Sequence, residues 1–312
     1  MTIIITNCTN RKKGLVEKEL NADSLDIDVI DIVAKQWMDR LSHAKVCNIA
    51  GQVYCGRSFR EASDSAEYLK SPLYIVSAGL GVVNSESKIP LYNLTVSNGV
   101  TNSINSKIIN KKNPNEWWHL ITTENPFGKS LSDVIVDYSE NLILIALSKP
   151  YISLIKDELA NIPAQIQKNL RFFGKNLNLF LPDHLIENWM PYDDRLDSSG
   201  IGYSGTQTDF AQRALRHFVM EILEKKHFID AKTHSNLVLN YLTPFTKREV
   251  PKRKQMNDQD IENIIRKNWI LGKGQSSLLL RLIRSELGIA CAQSRFQRIY
   301  HIVKNTIEIN EK

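Results

Sequence analysis

At 312 residues the chain has room for one large domain or two modest ones, and 42% hydrophobic residues exclude a wholly disordered chain. No apolar run reaches the roughly 18 residues that a membrane-spanning helix needs, and the N-terminus lacks the charged and apolar regions of a secretion signal. The net charge is +6, but residues 211–312 hold about 19 Lys/Arg against about 10 Asp/Glu, so the positive charge sits in the C-terminal third. Such asymmetry points to a nucleic-acid-binding end joined to a different module.

The chain opens on Thr2–Thr6, a β-branched run that stops in the polar segment Asn7–Gly14. Arg57–Leu69 has helical periodicity, and Leu73–Val76 reads as a second strand ended by Ser77-Ala78-Gly79. Residues 97–116, rich in Asn, Ser and Lys, read as a flexible surface loop with no function of its own. Leu142–Leu147 is a third strand, followed by a helical pattern over Ile152–Leu159, and Leu177–Leu181 a fourth, ended by Pro182-Asp183-His184. Short apolar strands alternating with helices predict an α/β fold, a parallel sheet flanked by helices. Ligands in such sheets collect at the carboxyl ends of the strands.

Residues 205–224 predict a strong helix, capped by Thr206 or Thr208, with Phe210, Ala214, Leu215, Phe218, Val219 and Ile222 on its apolar face. A domain boundary is placed after 230, giving an α/β domain over 1–230 and a basic helical domain over 231–312. Residues 247–254 read as a basic linker, and Ile261–Trp269 as a helix. Ser276–Glu286 and Ala290–Val303 are helical patterns joined by Leu287-Gly288-Ile289, the spacing of a helix-turn-helix. Its second helix would offer Gln293, Ser294, Arg295 and Arg298 to base edges, while Lys252, Arg253, Lys254, Lys273, Arg281 and Arg284 would meet phosphates. Binding of DNA is the expectation from this end of the chain.

Several motifs narrow the chemistry by exclusion. The run Gly272-Lys273-Gly274-Gln275-Ser276 is a turn before a helix rather than a phosphate loop, because it follows no strand. No GxSxG elbow and no GxGxxG fingerprint is present, which argues against an α/β-hydrolase and a dinucleotide dehydrogenase. Cys8, Cys47, Cys55 and Cys291 form no CxxC pair, which argues against a zinc site and for a reduced, cytoplasmic protein. Asp183 and His184 alone cannot hold a metal; they read either as a catalytic pair after a strand or as a helix start. No cofactor and no metal is expected. Ser77, Gly79 and Gly81 after the second strand suit either close approach to a ligand or a tight turn.

Read in order, Cys8 and Lys12 at a three-residue spacing, Val53–Phe59 (VYCGRSF), Ile75–Val83 (IVSAGLGVV) and Ile89–Tyr92 (IPLY) resemble a domain of archaeosine synthase and of bacterial peroxide-stress proteins. That domain is in turn similar to the uracil-DNA-glycosylase fold. The resemblance covers roughly residues 1–220; where archaeosine synthase continues into Pro-Tyr after the lysine, this chain has Lys13-Gly14. With a helix-turn-helix tail the chain also resembles bacterial defence glycosylases that attack modified bases of phage DNA. The resemblance implies a DNA glycosylase that flips a modified base into a pocket, with Asn10 (or Asn7) positioning water and His184, beside Asp183, donating to the departing base. Cys8, Lys12, Tyr54, Arg57, Ser58, Ser77 and Gly79 would line the pocket. Two other classes stay open: a DNA-binding regulator without catalysis, and a transferase acting on a deazaguanine in nucleic acid.

Overall fold

The computed structural model of the protein describes residues 1–46, 48–97, 100–109, 114–123, 125–198, 200–223, 229–247 and 252–310. Cys47 and residues 248–251 of the basic linker lie outside them. The chain divides into two units, Met1–Arg248 and Glu249–Lys312.

The first unit is α/β, built on one five-stranded sheet. In chain order its strands are β1 (Thr2–Asn7), β2 (Leu73–Ser77), β3 (Gly81–Asn84), β4 (Leu142–Ala146) and β5 (Leu170–Phe173). The order across the sheet is β3-β2-β1-β4-β5, parallel throughout except for the antiparallel edge β3. Ile3, Ile4 and Ile5 in β1 and Ile143, Leu144 and Ile145 in β4 are fully buried, as expected for strands covered on both faces. Register brings Thr6 beside both Ile75 and Ala146, and Ala146 beside Phe173, so four strands end at one edge.

Helices α1 (Ile30–Ser42), α2 (Arg57–Leu69), α3 (Pro114–Thr123), α4 (Lys149–Leu154) and α5 (Phe210–His217) belong to this unit. Among the described residues no helix is long and apolar enough to cross a membrane.

Four expectations need correction. Leu177–Leu181 is not a strand: Gly174 (φ 154°) and Asn176 (φ 56°) break extended backbone, and Leu177–Leu179 forms one 3-10 turn with Leu179 left exposed. The fourth parallel strand is Leu170–Phe173, hidden in the sequence because Arg171 interrupts its apolar run. Burial of Arg171 is met by bonds from its guanidinium to the carbonyls of Lys168, Leu170 and Ile229 and to His234 Nδ1 (2.9 Å). The helix expected over 205–224 starts at Phe210 with Asp209, not Thr206 or Thr208, at its N-cap position, and the Asp209 carboxylate accepts from the Thr206 N–H and the Arg213 Nε–H. It continues as a π-helical stretch, Phe218–Ile222.

The third correction is the segment read as a plain loop. Of its described residues, 100–109 are packed, with Ile104 buried in a 3-10 turn and bridges pairing Thr95 with Ser103 and Asp28 with Ile108, and 114–116 open α3. The fourth is the boundary after 230. Helix α6 (Ala231–Leu242) buries His234, Val238 and Leu242, and the two aliphatic side chains join the core of the first unit. The division therefore falls at Arg248.

The second unit has its own core of Ile261, Ile265, Leu279, Ile283, Phe296, Ile299 and Val303. These come from α7 (Asp258–Lys267), α8 (Ser276–Arg281, continued as a π-helical turn over Leu282–Glu286) and α9 (Gln293–Asn310). The connection before α9 is longer than the three-residue turn expected. Gly288 turns with φ 61°, then Ile289–Ala290 pairs in parallel with Lys254–Gln255, so α9 begins only at Gln293.

Candidate active site at the carboxyl edge of the sheet

From β1 the chain moves to β2 on one side, then returns to β4 on the other. Connections that leave in opposite directions open a crevice between the carboxyl ends of β1 and β4. A cavity of about 710 Å³ lies there, within the size range of small-molecule sites. Asn7, Cys8, Thr9 and Asn10 line it after β1, Ser148, Lys149 and Tyr151 after β4, and Gly174, Lys175 and Asn176 after β5. Ser58 of α2, Thr95, Ser97, and Gln207 and Thr208 just before α5 add polar groups, and Leu147, Pro150, Leu177, Phe210 and Ala211 add apolar surface. No carboxylate is among its described lining residues.

Each wall group is held. Asn7 donates from Nδ2 to the Cys8 carbonyl (2.9 Å), and its Oδ1 accepts from the Ser148 N–H (3.0 Å) and from Gln212 Nε2 (3.3 Å). Gln212 also donates to Thr6 Oγ1 and to the Ala146 carbonyl, both at 3.1 Å. Asn7 and Gln212 therefore tie β1 to β4 at the crevice, and both ends of the Asn7 amide are occupied by the fold. Cys8 Sγ lies 2.9 Å from the Tyr151 hydroxyl, whose pKa burial and the neighbouring thiol push well above the usual phenol range. Lys149 Nζ stands 4.6 Å from the Phe180 ring centroid, and Lys175 Nζ bonds both oxygens of Asp194 at 2.6 and 2.8 Å. Asn10 is exposed at the cavity and accepts a hydrogen bond from Asn102 Nδ2 at 2.9 Å.

Of the residues expected in the pocket, Asn7, Cys8, Asn10 and Ser58 line it. Lys12, Tyr54, Ser77 and Gly79 lie behind it in the interior. The Tyr54 and Tyr92 hydroxyls meet at 2.9 Å, and Tyr92 meets Ser77 Oγ at 2.6 Å. Ser77 Oγ also accepts from the Gly79 and Leu80 N–H groups, so its work is to close the turn after β2. A side chain on Gly79 would meet the Trp37 and Tyr92 rings at 3.1 Å, so packing, not a ligand, accounts for this glycine. Gly81 sits at φ 74° in the tight turn into β3. The Lys12 ammonium has no hydrogen-bond partner among the described residues and lies 4.4 Å from the Tyr92 ring centroid. Burial pulls its pKa below the ordinary lysine value, against the opposing influence of Cys8 and Cys55. Arg57 pairs with Glu61 at 3.0 Å and is not in the cavity wall.

Asp183 and His184 are not brought to the cavity. They open the 3-10 segment Asp183–Asn188, and both are exposed. The reason is the strand correction: the stretch before them does not end at the sheet's carboxyl edge, so their expected position after a strand does not exist. Sequence reading passed over Lys149, Tyr151, Lys175, Gln212 and Asn102. Lys149 was in sight, in the loop after the third strand; Lys175 was concealed by the misplaced fourth strand.

In the second unit Lys252, Arg253, Lys254, Lys273, Arg281, Gln293, Ser294 and Arg298 are exposed. Arg295 and Arg298 are not free cations: Asp258 holds both at 2.6 Å, and Arg295 also bonds the Met256 carbonyl. Arg253 and Arg284 donate to the carbonyls of Arg284 and Cys291 at 2.9 Å and so brace the ladder before α9. Among the described residues no group of three His, Cys, Asp or Glu side chains comes together in a way that could hold a metal ion.

Set against family models, characterised proteins and solved structures, the chain finds no match.

Proposed function

We propose that the protein is a DNA glycosylase: it flips a modified base of phage DNA into the cavity beyond β1, β4 and β5 and cleaves the N-glycosidic bond, leaving an abasic site. The observation that carries this reading is the composition of the cavity wall. A nucleotide-sized space at the switch point of a mostly parallel sheet is lined by apolar surface from Leu147, Pro150, Leu177, Phe210 and Ala211, on which a base can rest, with amides, hydroxyls and two lysines set into it and no carboxylate among the described lining residues. A departing base takes the bonding electron pair and becomes negative, and such a wall stabilises that charge as it develops. Water adds to the sugar carbon as the bond breaks, and its proton ends on the base. The expected similarity to the uracil-DNA-glycosylase fold is part of this proposal, supported by the site's position in the sheet. The second unit serves as a helix-turn-helix that holds DNA, with Lys252, Lys254, Lys273 and Arg281 on phosphates and Gln293 and Ser294 toward base edges. A cytoplasmic place of action belongs to the same reading.

One observation favours a second reading. The Cys8 thiol forms part of the cavity wall and the buried Lys12 amine shares its surroundings, which suits a transferase that modifies a deazaguanine base. Incubation with duplexes carrying modified bases separates the two: alkali-labile abasic sites establish excision, and a gain of mass on the base establishes transfer. Binding with neither product would leave a regulator.

A further inference from the structure

Four asparagines form one chain of hydrogen bonds that begins at a backbone amide and ends at the cavity. The first link is the Asp23 N–H, which donates to Asn21 Oδ1 at 3.2 Å. A backbone N–H can only donate, so the Asn21 atom facing it is the oxygen. The same oxygen meets the Asn93 side chain at 3.3 Å, so Asn93 turns its NH2 toward it. The Asn93 oxygen is then left to accept, and Asn102 Nδ2 donates to it at 2.6 Å. That NH2 has a second proton, which goes to Asn10 Oδ1 at 2.9 Å. Each amide has one oxygen and one nitrogen, so a single backbone N–H decides the direction of all four.

The backbone keeps the chain in place. The Asn93 N–H donates to the Leu20 carbonyl, the Asn93 carbonyl accepts from the Ala22 N–H, both at 2.8 Å, and the Asn102 carbonyl accepts from the Thr95 N–H. Asn102 is only 6% exposed, so water cannot readily take the place of its partners. At the end of the chain the fold engages the Asn10 oxygen and sets the direction of the amide, and its NH2, without a partner among the described residues, is left for the cavity.

We propose that Asn10 is a hydrogen-bond donor to the ligand, and that Asn102, Asn93 and Asn21 are positioning residues that keep it one. The inference rests on the reading of the cavity as a base site, and it states which bases fit. The base turns a carbonyl oxygen or an unprotonated ring nitrogen toward Asn10, and a base with an amino group there is rejected, since two donors would face each other. This gives Asn10 a different role from the expected one of positioning water. It agrees with Lys149 in the same wall, whose ammonium is a donor too.

The test uses matched deoxynucleosides as probes: deoxyuridine with deoxycytidine, and deoxyinosine with deoxyadenosine, titrated calorimetrically into the full chain. In at least one pair the carbonyl member is expected to bind about tenfold or more tightly. In Asn10→Asp the carboxylate still accepts from Asn102 but offers an oxygen to the cavity, so the preference is expected to invert. In Asn102→Ala the Asn10 amide can turn over, and the preference is expected to fall to within about threefold; the lost buried hydrogen bonds lower Tm, so this variant is titrated well below its own melting transition. Equal binding of both members, an unchanged preference in Asn10→Asp, or binding of none of the four probes overturns the inference. A base-excision assay on the same preparations keeps the two ideas apart. A carbonyl preference without excision removes the glycosylase reading alone, and excision without the preference removes this inference alone.

Discussion

Asn10 and His184 are both catalytic candidates in the sequence, Asn10 for water and His184 for the departing base, and the fold separates them. Asn10 is at the cavity with its oxygen engaged by Asn102, whereas His184 is exposed on a 3-10 segment away from it. Loss of one donor to a developing charge costs roughly 10²-fold in rate. Asn10→Ala is therefore expected to lower single-turnover base release by about that factor and to leave DNA affinity nearly unchanged, whereas His184→Ala is expected to match the unmutated protein. Equal losses in the two variants would return His184 to the mechanism. A second pair of residues sets the pH behaviour. Burial lowers the pKa of His217 and of His234 from the ordinary imidazole value to about 4, and for His234 the neighbouring Arg171 adds to the effect. Both imidazoles are neutral in the folded chain, while in the unfolded chain they take up protons below their ordinary pKa. Their contribution to stability is thus complete above about pH 6.5 and is lost progressively as pH falls toward 4. Urea midpoints measured across that interval are expected to drop, and His217→Phe should flatten part of the drop.

Among the elements, α6 shows where sequence and fold part. The boundary expected after 230 assigns it to the basic end of the chain, yet Val238 and Leu242 are fully buried in the core of the first unit and His234 is bonded to Arg171 of β5. A chain ended at residue 248 is expected to keep the melting temperature of the first unit. A chain ended at 230 loses two core aliphatics and leaves Arg171 without its imidazole partner, and its melting temperature is expected to fall by about 10 °C or more. Equal melting temperatures for the two truncations would mean that α6 contributes nothing to that core. The fourth strand teaches the same lesson in reverse. LNLFL has the stronger apolar pattern, but Gly174 and Asn176 adopt positive φ and block extension, while LRFF, with a charge inside it, forms the strand. The buried guanidinium is acceptable only because three carbonyls and an imidazole that are remote or unremarkable in sequence converge on it.

For the whole molecule the proposal divides labour between a cavity in the first unit and a cationic surface on the second. Phosphate contacts release counterions, so each lysine in use contributes about one unit to the salt slope of binding. Lys252→Ala, Lys254→Ala and Lys273→Ala are each expected to flatten log K against log salt by about that amount, measured by fluorescence anisotropy on duplex DNA. Arg298→Ala is expected to flatten it less, because Asp258 already neutralises that guanidinium. A slope unchanged in all three lysine variants would show that the second unit does not carry DNA binding.

Local pattern alone determined three of the four parallel strands, the helix over Arg57–Leu69, the α/β class, and the place to look for chemistry, because burial on two faces demands continuous apolar runs and parallel strands end together at one edge. Asn7, Cys8 and Asn10 were legible for the same reason: they directly follow the first strand. Only the tertiary structure decided what those residues offer. Whether an asparagine presents its oxygen or its nitrogen depends on Asn21, Asn93 and Asn102, the last of them in a segment whose composition reads as a plain loop. Whether a thiol or a lysine faces a ligand or the interior depends on the depth at which its loop passes. Residue types and spacings record which groups exist; hydrogen-bond direction and burial are relations between distant parts of the chain, and they are settled only when the chain has folded.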